Sequence, residues 1–419
     1  MTVATGTHQA IEAVWRIESA RVIAGLARIV RDIGLAEELA QDALVAALEQ
    51  WPESGVPRNP GAWLMAAAKN RAIDVLRRNK RLERKHEELG YELEAGQMAG
   101  PDFDTAMDDP VGDDLLRLIF TACHPVLAAE ARVALTLRLL GGLTTAEIAR
   151  AFLVSEPAIA QRIVRAKRTL ADARVPFEVP RGSELAARLA SVLEVIYLIF
   201  NEGYSATAGG DWMRPALCED ALRLGRILAE LAPREAEVHG LVALMEIQAS
   251  RSHARVDAEG RPVLLLEQNR ARWDQLLIHR GLAALDRSQR TGMRAGPYTL
   301  QAAIAACHAQ ARMPEDTDWR RIARLYAELA RLTPSPVVEL NRAVATAMAD
   351  GPAAGLELVD ALLAEPSLEN YHLLPSVRGD FLFKLGRMEK ARVEFERAAS
   401  MTHNSREREL LLERARGAR

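Results

Sequence analysis

The chain has only three cysteines in 419 residues, Cys123, Cys218 and Cys307, far apart in sequence. They form neither a disulfide framework nor a CxxC metal pattern, and such usage fits a reducing cytoplasm. No stretch approaches the roughly 18 consecutive apolar residues that cross a membrane. The longest greasy run, Val192 to Phe200, is short and interrupted by Glu194. The start of the chain, MTVATGTHQAIEAVWR, lacks the charged and apolar blocks of a secretory signal. Net charge is −3, so overall charge points to no nucleic-acid partner. Walker loop, GxGxxG in context, HExxH and catalytic triad are all missing, which leaves no constellation for an enzyme or a cofactor. Aromatics make up only 5% of the residues, while Ala, Leu and Arg dominate, a bias that favours helices. A hydrophobic content of 49% and a charged content of 26% are ordinary for a soluble globular protein, and the length suits two or three domains.

Charge is segregated rather than scarce. From Arg58 to Lys85 there are nine Lys or Arg against two acids. Pro60 and Gly61 open this stretch, and proline suits a first helical turn because the N–H there has no intrahelical acceptor. Leu64, Ala68, Ala72, Val75 and Leu76 recur at helical spacing and predict a core-facing stripe. Trp63, Asn70, Asp74, Arg77, Arg78 and Arg81 fall on another side. An aromatic, an amide and several cations supply a stacking surface, a base-edge reader and phosphate partners for single-stranded nucleic acid. The plainer alternative makes Trp63 core and the charges a solvated face.

Two helices are predicted ahead of it. The first spans 8–31 and breaks at Asp32 to Gly34. The second spans about 35–50, with Glu38, Gln41, Asp42, Val45 and Glu49 as a mainly acidic stripe, either a solvated face or a dock for a basic helix. Trp51 to Asn59, with two prolines, reads as a loop. Tyr91 to Asp114 carries eight acids and no Lys or Arg, the composition of a flexible linker. Beyond it, helices are expected over Leu115–Cys123 and Glu130–Leu140, the latter ended by Gly141–Gly142. Thr144 and Glu147 have capping-box spacing. The helix from Thr145 to Phe152 then gives way, after a three-residue turn, to one capped by Ser155 with Pro157 in its first turn. Ile159, Ile163, Ala166 and Leu170 face inward there, and Gln161, Arg162, Arg165 and Arg168 face out beside Lys167. This is a helix-turn-helix pattern, whose second helix enters the major groove and whose Arg and Gln suit base edges.

In this order, LAEELAQDALVAALEQW, WLMAAAKNRAIDVLRR, an acidic linker and a helix-turn-helix ending in RIVRAKRTL, the first 175 residues resemble extracytoplasmic-function (group 4) sigma factors. The resemblance implies an all-α transcription initiation factor with no catalytic site of its own, binding core RNA polymerase (β′ clamp and β flap) and the −10 and −35 elements of promoter DNA. It assigns Glu37, Glu38, Leu39, Gln41, Asp42 and Leu48 to polymerase docking. It assigns Trp63, Asn70, Arg71, Asp74, Arg77 and Arg78 to −10 capture and melting. Thr145, Glu147, Ala160, Gln161, Arg162, Arg165, Lys167 and Arg168 fall to −35 contact. The implied division is region 2 over 1–90, linker over 91–113 and region 4 over 114–175. Ala66 to Ala68 make the −10 helix plainer than is usual in the class.

From 176 to 419 the chain reads as helix after helix, with PFEVPRG as a short boundary. Leu228–Gln248 and Tyr326–Ala347 share an Ala-Glu-Leu-Ala start, a proline and a following helix. Gly351 and Gly386 are 35 apart, close to a tetratricopeptide period. Gly379, Gly386, Ala391, Phe395 and Ala398 have that repeat's small and aromatic spacing. A tetratricopeptide-like array is therefore expected, and TACHP and YLIFNEGYSA resemble the sigma subgroup with such a fused tail, which implies a tail that influences sigma activity. Cys123–His124 reads as a helix end rather than a metal site. The segment Tyr197 to Ala206, followed by Asp211, Trp212 and Arg214, is dense in polar and aromatic groups and fits equally a pocket for a protein or small-molecule ligand, an interface, or a plain interhelical loop. The rival readings are a one-component regulator, which leaves the first 90 residues unexplained, and an enzyme in the C-terminal half.

Overall fold

A computed structural model describes residues 2–89, 111–152, 154–204, 213–257, 263–402 and 405–418. Residues 91–110 of the expected linker and the Ser205–Trp212 part of the polar segment lie outside the described residues, whereas 111–113, also expected in the linker, are helical. Among the described residues every extended element is a helix, and none is long and apolar enough to cross a membrane. The chain forms two compact units, Met1–Val195 and Ile196–Arg419.

The first unit begins with α1 (Thr2–Val30), α2 (Ile33–Ser54) and α3 (Pro60–Leu89). Arg31 has φ 54° between α1 and α2, and the Asp32 carboxylate caps α2 by accepting from the Leu35 N–H at 2.8 Å. α2 runs further than expected, through Pro52. Trp51 is only 1% exposed, and its carbonyl accepts from Gly55, so burial and a glycine cap (φ 82°) hold the last turn despite the missing donor. The Asn59 side chain caps α3 through the Ala62 N–H at 3.1 Å. Ile23, Leu26, Leu39, Ala43, Ala47, Trp51, Leu64, Ala68 and Ala72 form the core between these three helices.

α4 (Val111–Ala122), α5 (Ala129–Thr136), α6 (Thr145–Phe152) and α7 (Glu156–Asp172) complete the first unit together with the N-terminal half of α8 (Ser183–Tyr204). α5 ends in a π-helical turn, Leu137–Gly141, closed by Gly142 at φ 72°. The division at Val195/Ile196 falls within α8 rather than at 176–182. The physical reason lies in three polar ties. Arg188 donates to the Phe120 carbonyl at 2.9 Å, Ser191 to the Cys123 carbonyl at 2.7 Å, and Arg132 meets Glu194 at 2.9 Å. Cys123 is a buried thiol bonded to Thr136, and burial pushes its pKa up to about 11.

The second unit continues through α9 (Pro215–Leu231), α10 (Ala236–Ala249), α11 (Gln275–Arg290), α12 (Pro297–Gln310), α13 (Trp319–Leu332), α14 (Pro336–Asp350), α15 (Pro352–Ala361), α16 (Leu373–Lys384), α17 (Met388–Met401) and α18 (Ser405–Gly417). α10 is buried almost all round, under α9, α11 and α12. The Glu237 carboxylate reaches across to accept from the Gly296, Tyr298 and Thr299 N–H groups, placing negative charge at the start of α12. From α13 onward each helix packs on the next. Small residues set the spacing: a Cβ on Gly379 would meet Phe395 at 2.9 Å, and Ala391, Phe395 and Ala398 are buried beside it.

Candidate nucleic-acid interface

The second stripe of α2 is only partly open. Glu38, Asp42 and Leu48 are exposed and Gln41 is half-buried. Leu39 is in the core, 2% exposed. Glu37, grouped with the docking residues, is 4% exposed and faces inward. Its carboxylate accepts from Arg138 Nε at 2.7 Å and from Gln41 Nε2 at 2.7 Å, and it is ion-paired with Lys167. Arg138 also donates to the Leu143 carbonyl at 3.1 Å. One buried acid thus clasps α2 to the turn after α5 and to α7. A second clasp joins α1 to α4. Asp114 is 4% exposed, with Arg28 at 2.9 Å and Arg117 at 2.8 Å. The sequence pattern groups Asp114 with the acids of the expected linker and does not single out Arg138. Their partners lie far along the chain, 101 residues in the case of Glu37 and Arg138, where helical spacing carries no signal.

α3 presents the expected face. Asn70, Asp74, Arg77 and Arg78 are exposed, while Arg71 is half-buried. Arg71 meets Asp42 at 3.2 Å, so the two sets of residues touch at an exposed ion pair worth at most about 1 kcal/mol. Trp63 is half-buried. Its ring stands edge-on to Trp51, centroids 5.3 Å apart at 69°, which fixes the indole through an aromatic contact and leaves part of it open. Trp63 is therefore neither pure core nor a free platform.

In the helix-turn-helix, Glu147 accepts from the Thr144 N–H at 2.7 Å and the Thr144 hydroxyl at 2.9 Å, and the Glu147 N–H donates back to Thr144 Oγ1 at 3.2 Å. This is the reciprocal capping box that the spacing predicts. Partial burial raises the Glu147 pKa, but the two Thr144 bonds, Arg16 at 3.8 Å and Arg150 outweigh it and hold the carboxyl below its ordinary value. Thr145 is half-buried beside it. Ser155 occupies the cap position of α7 but makes no side-chain cap bond, and Pro157 sits in the first turn. Ile159, Ile163, Ala166 and Leu170 are all buried. Ala160, Gln161, Arg165 and Arg168 are exposed and Arg162 half-buried. Arg168 pairs loosely with Asp172 at 3.5 Å. Lys167 is turned to Glu37. Gln161, Arg162 and Arg165 line one wall of an open cleft of about 410 Å³, and Val126, Leu127 and Glu130 line the other. A cationic helix face beside a cleft can hold phosphates and reach base edges.

Comparison with known families agrees with this layout. Residues 16–82 match the Sigma-70 region 2 family and residues 117–170 match the Sigma-70, region 4 family. Residues 188–289 match a family of unknown function, DUF6596. An uncharacterized protein of Rhizobium meliloti (strain 1021) is 44% identical over 393 residues, which cover 92% of this chain and 90% of that protein.

Proposed function

We propose that the chain, whose residues 16–82 and 117–170 match the sigma-70 region 2 and region 4 families, is a promoter-specific transcription initiation factor of the extracytoplasmic-function type with a regulatory C-terminal unit. In this reading α2 docks on the β′ clamp through Glu38, Gln41, Asp42 and Leu48, and α3 captures the −10 strand with Trp63, Asn70, Arg71, Asp74, Arg77 and Arg78. α7 reads the −35 duplex with Ala160, Gln161, Arg162, Arg165 and Arg168, and Thr145 and Glu147 set the helix before it. Region 4 also meets the β flap. The reading places the factor in the cytoplasm and gives it no chemistry of its own, since polymerase supplies that. The observation that carries it is the single face of α3 on which a half-buried, ring-locked Trp63 precedes exposed Asn70, Asp74, Arg77 and Arg78. Stacking surface, amide and cations at that spacing are what an unstacked strand requires.

Glu37 and Leu39 are buried and the half-buried Lys167 is turned to Glu37 in the conformation described. Docking through Glu37 and phosphate contact through Lys167 therefore require the Glu37 clasp to open, and we take polymerase binding to supply that energy by preferring the open state. Residues 176–419 serve as a tetratricopeptide-like module that modulates initiation, and the close approach of Gly379 to Phe395 supports that packing. The test is in vitro transcription with purified core polymerase on the promoter of the protein's own operon, comparing the full chain with Asp42→Arg. The full chain is expected to direct initiation, and the reversed charge to weaken polymerase binding with little loss of stability. Duplex binding without initiation would favour the one-component regulator.

A further inference from the structure

Within the second unit, three arginines crowd together where cations alone are unstable. Arg251 follows α10 directly, and its Cζ lies 5.8 Å from the Tyr204 ring centroid and 5.9 Å from that of Trp273. Arg255, 9% exposed, stacks over the same Tyr204 ring at 3.6 Å and donates to the Tyr204 carbonyl. Arg270 lies 5.1 Å from the Trp273 ring and donates to the carbonyls of His308, at 2.9 Å, and Ala311, at 2.6 Å, and to the Thr317 hydroxyl, at 3.1 Å. Trp273 thus lies against both Arg251 and Arg270, and Tyr204 against both Arg251 and Arg255. Arg251 is the hub.

Its surroundings lack an answer to its charge. The Arg251 guanidinium has no hydrogen-bond or ion-pair partner among the described residues, and its Nε is buried without an acceptor. Arg270 Nε and Trp273 Nε1 are likewise buried N–H donors without acceptors. The Arg251 charge bears on Arg255, Arg270 and His308 alike. Two carboxylates on neighbouring elements are engaged elsewhere: Glu246 with Arg226 at 2.8 Å, and Asp274 as the cap of α11. Glu315 and Asp316 act on Arg270. Aromatic faces hold a guanidinium without neutralising it, so they fix its direction and leave its N–H groups to another acceptor. Buried donors without acceptors cost free energy that a bound acceptor recovers. Arg251 itself is half-buried and so reachable from solvent.

We propose that Arg251, held between Tyr204 and Trp273 and backed by Arg255 and Arg270, is the centre of an oxyanion-binding site that takes the carboxylate or phosphate group of a small-molecule effector. The guanidinium fork meets two oxygens of such a group at once, and Trp273 and Arg270 supply further donors. The site stands on unit-two geometry alone, whether or not the chain initiates transcription.

The experiment is thermal unfolding of the full chain with inorganic phosphate or citrate as probe, against chloride at matched ionic strength, for wild type and Arg251→Met. Binding is expected to raise the unfolding temperature of the wild-type unit saturably, by about 5–10 °C at a hundredfold excess over the dissociation constant. Phosphate acting alone assigns the site to phosphoryl groups, and citrate acting alone assigns it to carboxylates. Arg251→Met is expected to abolish the shift while unfolding, without probe, no lower than wild type, because it removes a cation that has no counter-charge. Arg251→Lys serves if the Met variant is insoluble, and should bind roughly tenfold more weakly for loss of the planar fork. No shift with either probe, or an equal shift in the variants, overturns the proposal.

Discussion

Arg138→Met isolates the clasp that joins α2 to α7, because Arg138 belongs to neither the polymerase-docking nor the DNA-reading set. The substitution keeps most of the side-chain volume and removes two bonds, to Glu37 Oε1 at 2.7 Å and to the Leu143 carbonyl at 3.1 Å. Glu37, only 4% exposed, is left with Lys167 and Gln41. Losing one member of a buried ion pair costs about 3–5 kcal/mol, but the Arg138 side chain is 23% exposed and the second cation remains, so we expect about 2 kcal/mol. For a unit of this size that lowers the first unfolding transition by about 4–8 °C. The same 2 kcal/mol would shift a closed–open equilibrium about 30-fold toward open and raise apparent affinity for core polymerase. Differential scanning calorimetry and polymerase titration read the two effects. The double variant Glu37→Leu with Arg138→Met should be more stable than the sum of the single losses predicts, since it removes a stranded buried charge. A change below 1 °C, or strict additivity, would refute the clasp.

Three further outcomes follow from the exposed faces and the second unit. Arg162→Ala with Arg165→Ala should weaken duplex binding and make the logarithmic salt slope shallower by about one to two units, read by fluorescence anisotropy across a salt series; an unchanged slope would remove both from the phosphate interface. Trp63→Ala should impair promoter opening, followed by permanganate footprinting, more than initial duplex binding, and equal loss in both would mark Trp63 as purely structural. His308 gives a pH dependence: burial, then Arg251 and Arg270, push its pKa down to about 4 from an ordinary 6.5. The unfolded chain therefore binds the extra proton between pH 6.5 and 4, and stability falls as pH falls through that window, by about 2 kcal/mol between pH 7 and pH 5. His308→Gln should flatten that part of the profile in denaturant titrations, and an unchanged profile would assign it to other groups.

Local signals were legible where chemistry is local. The capping box of Thr144 and Glu147, the inward stripe of α7 and the outward Asn70, Asp74, Arg77 and Arg78 of α3 follow from periods of 3.6 residues and from hydrogen bonds three residues long. Pro52 misled the reading of α2 because burial of Trp51 and the Gly55 cap outweigh one lost donor. The boundary drawn from the prolines of 176–182 is displaced into α8 by Arg188, Ser191 and Glu194, polar residues whose partners Phe120, Cys123 and Arg132 lie about 60 or more positions away. Glu37 shows the general limit. Its neighbours Glu38, Gln41 and Asp42 are acids or amides on an open stripe, and composition treats all four alike. Only tertiary packing turns Glu37 inward, where Arg138 and Lys167 give it a use that exposure would have denied: a charge in water is worth little to its partner, whereas one under 4% exposure fixes which elements may touch. The same reasoning applied to Arg251 runs in reverse. There, among the described residues, no acid pairs with the Arg251 guanidinium, so the missing counter-charge is sought in a bound oxyanion.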